Sequence, residues 1–301
     1  MLTQLGSPAL RQQLTQWIPL VFVLLWSTGF IGGKYALPYI EPFYLLFIRM
    51  LITLLVFGAL ISHFKPSWPT FRQAGHQLLV GSLVHAGYLG GVYAAIKWQM
   101  PAGIVSLLVG LQPLLTAVIA WFVISERLSI RQWTGLLLGL AGVVMVLLQG
   151  QAVGDFQLSP ASMIAAAVAL VSISIGTLYQ KKFGQGVDLL TGTFYQYVAT
   201  VFWMGLLTWQ FEDQLIIWQP QLIIGMLWLV FGVSVAAILL LMLMIRQGAA
   251  SSVASYFYLV PPVTAIESWL LFDESLSAGA LAGMVLAVTG VYLMVKKAGG
   301  K

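Results

Sequence analysis

His85, Glu267 and Arg49 are ionisable side chains set deep inside long apolar stretches. Hydrocarbon tolerates such groups where they face a protein interior, so each is a candidate for chemistry. Imidazole titrates near neutral pH, so His85 can contact a substrate or carry a proton. The alternative is a histidine hydrogen-bonded within the bundle. Tyr88 lies one turn on, on the same helical face. Glu267 can accept a proton or an amine; the alternative is a carboxylate that snorkels or pairs near a helix end. Arg49 lies at similar depth and can pair with Glu267 if their helices meet. Trp26, Tyr88, Tyr93, Tyr179, Trp228, Tyr256 and Tyr258 add indole and phenol groups. Most aromatics in such segments pack, but a few can hold an apolar or cationic ligand.

Pro113, Pro261 and Pro262 are a second kind of candidate. Proline lacks an N–H and clashes with the carbonyl four residues back. The carbonyls of Val109, Phe257 and Tyr258 are therefore expected to be freed. Matched interruptions in two halves of a chain point to a midplane site, bordered or gated by the break. The alternative is a static kink that shapes packing.

The two proline sites match because the chain repeats itself. A shift of 148 carries Pro113 to Pro261, Thr116 to Thr264, Glu126 to Glu274, Gly135 to Gly283 and Gly142 to Gly290. Duplicated hydrophobic halves are typical of membrane transporters built from repeats.

The elements that must position these groups are membrane helices. The chain is 60% hydrophobic and 8% charged, with mean hydropathy +0.94, whereas soluble domains carry about 25% charge. Apolar runs predict ten spans, at 17–37, 43–62, 76–96, 102–123, 131–149, 161–181, 190–209, 221–245, 250–271 and 278–296. They divide into a first five-helix repeat at 17–150 and a second at 151–297, with tails at 1–16 and 298–301. Eleven Lys and Arg residues fall on the side of the termini and two, Lys34 and Lys97, on the other. That asymmetry predicts cytoplasmic termini. Five helices per repeat is an odd number, so the second repeat enters the membrane inverted. The fold class expected is an all-α integral membrane protein. Paired small residues at Gly29/Gly33, Gly87/Gly91, Gly135/Gly139 and Gly279/Gly283 suit close helix packing.

Cysteine is absent, which excludes disulfides and thiol chemistry. Three histidines without metal-ligand spacing imply no metal site, no cofactor and no catalytic constellation. No Gly-rich Lys-Ser/Thr phosphate loop is present. No basic run with interleaved aromatics suggests nucleic acid.

The stretches AGIVSLLVGLQPLLTAVIAWFVISERLSIRQWTGLLLGLAGVVMVL and ASSVASYFYLVPPVTAIESWLLFDESLSAGALAGMVLAVTGVYLMV, with WSTGFIGGK at Trp26–Lys34, resemble EamA-type transporters of the drug/metabolite transporter superfamily. The resemblance implies two inverted five-helix repeats around a cavity lined mainly by helices 1, 3, 4, 6, 8 and 9. It implies export of small metabolites, often amino acids, across the plasma membrane (the bacterial inner membrane). The implied partners are a small-molecule substrate, membrane lipid and protons as a candidate coupling ion. Arg49 matches a basic residue frequent in that family's second helix, which implies a structural role. The rival classes are a membrane-embedded interaction subunit and a membrane enzyme, both without transport.

Overall fold

Polar caps and prolines punctuate the apolar runs. The computed structural model describes residues 8–100, 105, 108–149, 159–272 and 277–296. Asp155, Asp273, Glu274, Lys297, Lys301 and the 298–301 tail lie outside them. Helix α1 (Pro8–Ala36) leads through a 3-10 turn into α2 (Pro42–Phe64). Lys65 closes α2 in the left-handed region, φ 46°. Thr70 and Gln73 form a capping box ahead of α3 (Phe71–Lys97), satisfying orphan backbone donors at both ends of the box. Next come α4 (Gln112–Ile124), α5 (Ile130–Gln149), α6 (Pro160–Phe183) and α7 (Leu189–Phe211). Ser159 caps α6 and Asp188 caps α7. Then follow α8 (Pro220–Gln247), α9 (Ala250–Ser255), α10 (Val260–Phe272) and α11 (Ala278–Val295).

Seven helices among the described residues are long and apolar enough to cross a membrane: α1, α2, α3, α5, α6, α8 and α11. Three of the ten expected spans do not reach that standard. The 102–123 run is described mainly as α4, of 13 residues. The 250–271 run is split into α9, a 3-10 segment at Tyr256–Leu259 and α10. Helix α7 is long enough, with 23 residues, but Thr191, Thr193, Gln196, Thr200 and Thr208 dilute its apolar character. It turns all five into the protein. Helix α3 begins five residues before the expected 76, so His76 lies within the helix rather than at its first residue.

Helix packing follows the duplication. Helix α3 packs on α6 and α7, and the shift of 148 turns those pairs into α8 on α1 and α8 on α2, both of which also pack. Helices α2 with α7 and α5 with α11 pair across the two halves. The α5–α11 crossing is backbone on backbone. A Cβ on Gly290 would stand 2.4 Å from Gly139 N, and one on Gly142 2.4 Å from Ala287 N. Only glycine fits there, and such close approach is what holds helices together in lipid. Large apolar side chains such as Leu55, Phe122, Ile224 and Val285 face outward, as a lipid-solvated surface requires.

The two ends of the bundle differ in charge. At one end Lys97 Nζ lies 3.5 Å from Glu41 and 3.4 Å from Glu212. An antiparallel bridge joins Ile40 to Ile216 there. The other end gathers Lys181, whose ammonium donates to the Arg246 carbonyl at 3.2 Å, and Arg131, which donates to the Lys296 carbonyl.

Candidate functional site

Helices α3 and α8 each contain a π-helical segment, Gly81–Gly87 in α3 and Leu229–Ala237 in α8. Their starting residues are 148 apart, the same shift that relates the repeats. Single π turns inside α-helices are frequent at functional sites, because the extra residue re-aims side chains. The first segment is tightly held. Built Cβ atoms on Gly81 and Gly87 would stand 2.1 Å from the Gln196 carbonyl oxygen and 2.5 Å from Ser172 Oγ.

His85 sits in the first segment, 1% exposed. Its Nε2 lies 3.1 Å from Gln196 Oε1, and Gln196 Nε2 donates to Gln77 Oε1 at 2.7 Å. An amide that donates to Gln77 presents its oxygen to His85, so the imidazole donates from Nε2 and keeps Nδ1 as its basic atom. The ring stacks on Tyr197 with centroids 4.9 Å apart. Tyr197 donates its hydroxyl hydrogen to the Ser234 carbonyl, and Arg49 Nε donates to Ser234 Oγ at 2.7 Å. Ser234 belongs to the second π segment. The two segments are thus joined through Tyr197 of α7, and Arg49 of α2 is fixed to the second.

Trp26 and Tyr88 are both 7% exposed and belong to one buried apolar cluster. Trp26 packs on Phe22 at 5.3 Å and edge-on against Phe257 at 5.2 Å. Trp26 and Tyr88 therefore share one apolar interior with Phe22 and Phe257, while His85, one turn before Tyr88, faces Gln196 and Tyr197 of α7. Glu267 borders that interior through Ser27, which donates to Oε1 at 2.7 Å, while Oε2 is buried without a partner. No ion pair joins Glu267 to Arg49, because each spends its bond on a serine of a different helix.

The other candidates lie apart. Tyr179 bonds His76 Nδ1 at 2.6 Å toward the basic end. Trp228 is 44% exposed and donates to Thr28 at 2.8 Å. Tyr256 lines a cleft of about 690 Å³ at the basic end, with Arg127, Arg131 and Lys296 at its rim. Pro113 and the Pro261–Pro262 pair stand in the first turns of α4 and α10, not within continuous helices. A turn at 110–111 precedes Pro113, and the 3-10 segment precedes Pro261. Proline suits a first turn, where its missing N–H would be unpaired anyway. Each proline therefore follows an interruption of the regular α-helix. Among the described residues no group of three or more His, Asp or Glu side chains could hold a metal.

The acidic end carries its own electrostatics. Burial pushes the Glu212 carboxyl up, opposed by N–H donation from Phe43 and Tyr44 and by Lys97. Those amides donate at 2.8 and 2.6 Å.

A family model described as "EamA-like transporter family" matches residues 16–148 and again 160–296. The chain belongs to the EamA-like transporter family. It is 30% identical to the uncharacterized transporter YvbV of Bacillus subtilis, over 91% of this chain and 89% of that protein. It is 27% identical to a "Probable amino-acid metabolite efflux pump" of Salmonella typhimurium, over 92% of this chain and 93% of that one. A solved crystal structure superposes with TM-score 0.79 at 22% identity, covering 94% of this chain and 96% of the other. At that identity the likeness is one of fold. This EamA-like chain is a multi-pass membrane transporter.

Sequence reasoning passed over Gln77, Gln196 and Ser234, which hold His85 and Arg49. The signal was present: two glutamines inside apolar runs need buried partners in lipid. The π segments had no such signal, since a one-residue change of hydrogen-bond register leaves composition untouched.

Proposed function

We propose that this chain is a secondary carrier that exports small uncharged or zwitterionic metabolites, amino acids or their relatives. It works by alternating access around a site between two inverted repeats. Its ten membrane segments divide at 17–150 and 151–297, with the 1–16 and 298–301 tails cytoplasmic in the bacterial inner membrane. The basic end then faces the cytoplasm. One observation carries the reading: two π segments at repeat-equivalent positions, linked from the buried His85 of the first through Tyr197 to Ser234 of the second, which also holds Arg49. Trp26, His85 and Tyr88 contact the substrate in this reading, and His85 carries the coupled proton. The breaks ahead of Pro113 and Pro261 act as gates.

A metabolite-panel export assay in overexpressing and deletion cells tests it. At least one amino acid or close relative is expected outside overexpressing cells in excess. A panel with no difference between the strains contradicts the proposal. The absence of native cysteine makes orientation easy to read. Cysteines at Lys65, Arg131 and Lys181 should resist an impermeant reagent applied outside, and one at Asp213, the exposed neighbour of Glu212, should react.

A further inference from the structure

Arg49 is 5% exposed in the interior of α2. Guanidinium stays charged in proteins and offers five N–H donors. Here Nε is spent on Ser234 Oγ, and the two terminal nitrogens have no acceptor among the described residues. The carboxylates at Glu41 and Glu212 lie beside Lys97, and Glu126 holds Ser251. Glu267, the acid nearest in depth, holds Ser27 instead. A buried cation without an anion is costly, and the cost falls when a ligand supplies the charge.

The surroundings suit that ligand. Tyr93 and Tyr197 stand within electrostatic reach of the guanidinium, and so does His85. A Cβ on Gly33 of α1 would meet the Tyr93 hydroxyl at 3.5 Å, so α1 closes the same region with a bare backbone. The planar fork of two terminal nitrogens matches a carboxylate in bidentate fashion. A single fixed cation matches a single negative charge.

We propose that Arg49, held in place by Ser234 of the second π segment, anchors the carboxylate of the transported molecule. The proposal rests on the carrier reading above and names the substrate class as monocarboxylates, α-amino acids included. Ser234 is a positioning residue: it fixes the fork and leaves the outer nitrogens to the ligand.

The test separates this from a purely structural bond between α2 and α8. Purified protein is titrated with L-leucine, L-phenylalanine and benzoate, each beside its carboxamide, with thermal midpoint as readout. The same amino-acid pairs are then measured in proteoliposome exchange. Wild type should be stabilised by at least one carboxylate and not by its amide. Arg49→Gln should lose at least tenfold in apparent affinity for the carboxylate and leave the amide within twofold. Arg49→Lys keeps the charge without the fork, should fold where Gln does not, and should also weaken carboxylate binding about tenfold. Equal losses for carboxylate and amide, or unchanged carboxylate affinity in the Lys variant, overturn the anchor. A failed carrier reading looks different: carboxylates stabilise wild type through Arg49 while no exchange occurs with any compound.

Discussion

The two π segments share a backbone device and differ in chemistry. The α3 segment places His85 against Gln196 and Tyr197, wedged between α6 and α7 by Gly81 and Gly87. In the α8 segment the residue equivalent to His85 is Val233, and the polar group is the neighbouring Ser234, which receives Arg49. Duplication has preserved the place where the helix register changes, while the side chains displayed there have diverged. The lesson is that symmetry in this chain belongs to the scaffold and asymmetry to the site. The zwitterionic substrate proposed above would use that asymmetry, because its two charges call for unlike partners.

The largest effect should come from filling the tight wall of the first segment. Gly81→Ala puts a Cβ 2.1 Å from a backbone oxygen that cannot swing away. It should cost about 1–3 kcal/mol or more and reduce the yield of folded protein. Gly58→Ala, with nothing within 4 Å, should leave the thermal midpoint near wild type. Equal midpoints for the two variants would remove the case for a constrained α3.

Next comes the chemistry itself. His85→Ala strands Gln196, and loss of one buried bond is worth about 1–3 kcal/mol. Val233→Ala changes the second segment without touching a polar bond and should keep transport near wild type. His85→Gln should still exchange substrate yet lose its response to an imposed pH gradient. Gradient-driven transport in that variant would assign the proton elsewhere, with Glu267 and its unpartnered Oε2 as the next candidate.

Smaller still is the response to removing the prolines. Pro113→Ala and Pro261→Ala–Pro262→Ala replace first-turn residues, so stability should move by less than about 1 kcal/mol. Transport should nevertheless fall if the breaks are gates, and wild-type exchange from the triple variant would make them packing features only.

The smallest expected effect is at the acidic end. Burial raises the Glu212 carboxyl above its usual 4.5, so the folded state holds its proton more tightly than the unfolded chain. Stability should therefore fall slightly as pH rises through the window from 4.5 to the raised value. Glu212→Gln should flatten that dependence in a thermal-shift series. An unchanged slope would place the titration on another group.

Much of this arrangement was legible beforehand, for identifiable reasons. The offset of 148 exposed the duplication because prolines, glycines and Glu-x-Leu-Ser recur without gaps. The apolar runs located the helices because lipid demands them. Pro113 and Pro261 marked places where the regular α-helix is interrupted, since proline terminates or starts a helix as readily as it bends one. Helix α7 read as one more apolar span, yet its buried threonines and Gln196 make it part of the polar interior. The Arg49–Glu267 pair suggested by depth did not form, because depth says nothing about azimuth around a helix axis. The π segments were invisible for the reason already given, and with them the bridge from His85 to Ser234.

The most direct measurement is substrate counterflow into proteoliposomes loaded with an amino acid from the export panel. The wild-type chain should accumulate external label well above empty vesicles, and His85→Ala should need about tenfold more substrate for the same rate. No accumulation by wild type across the panel, or identical concentration curves for wild type and His85→Ala, would contradict a carrier whose site lies at the first π segment.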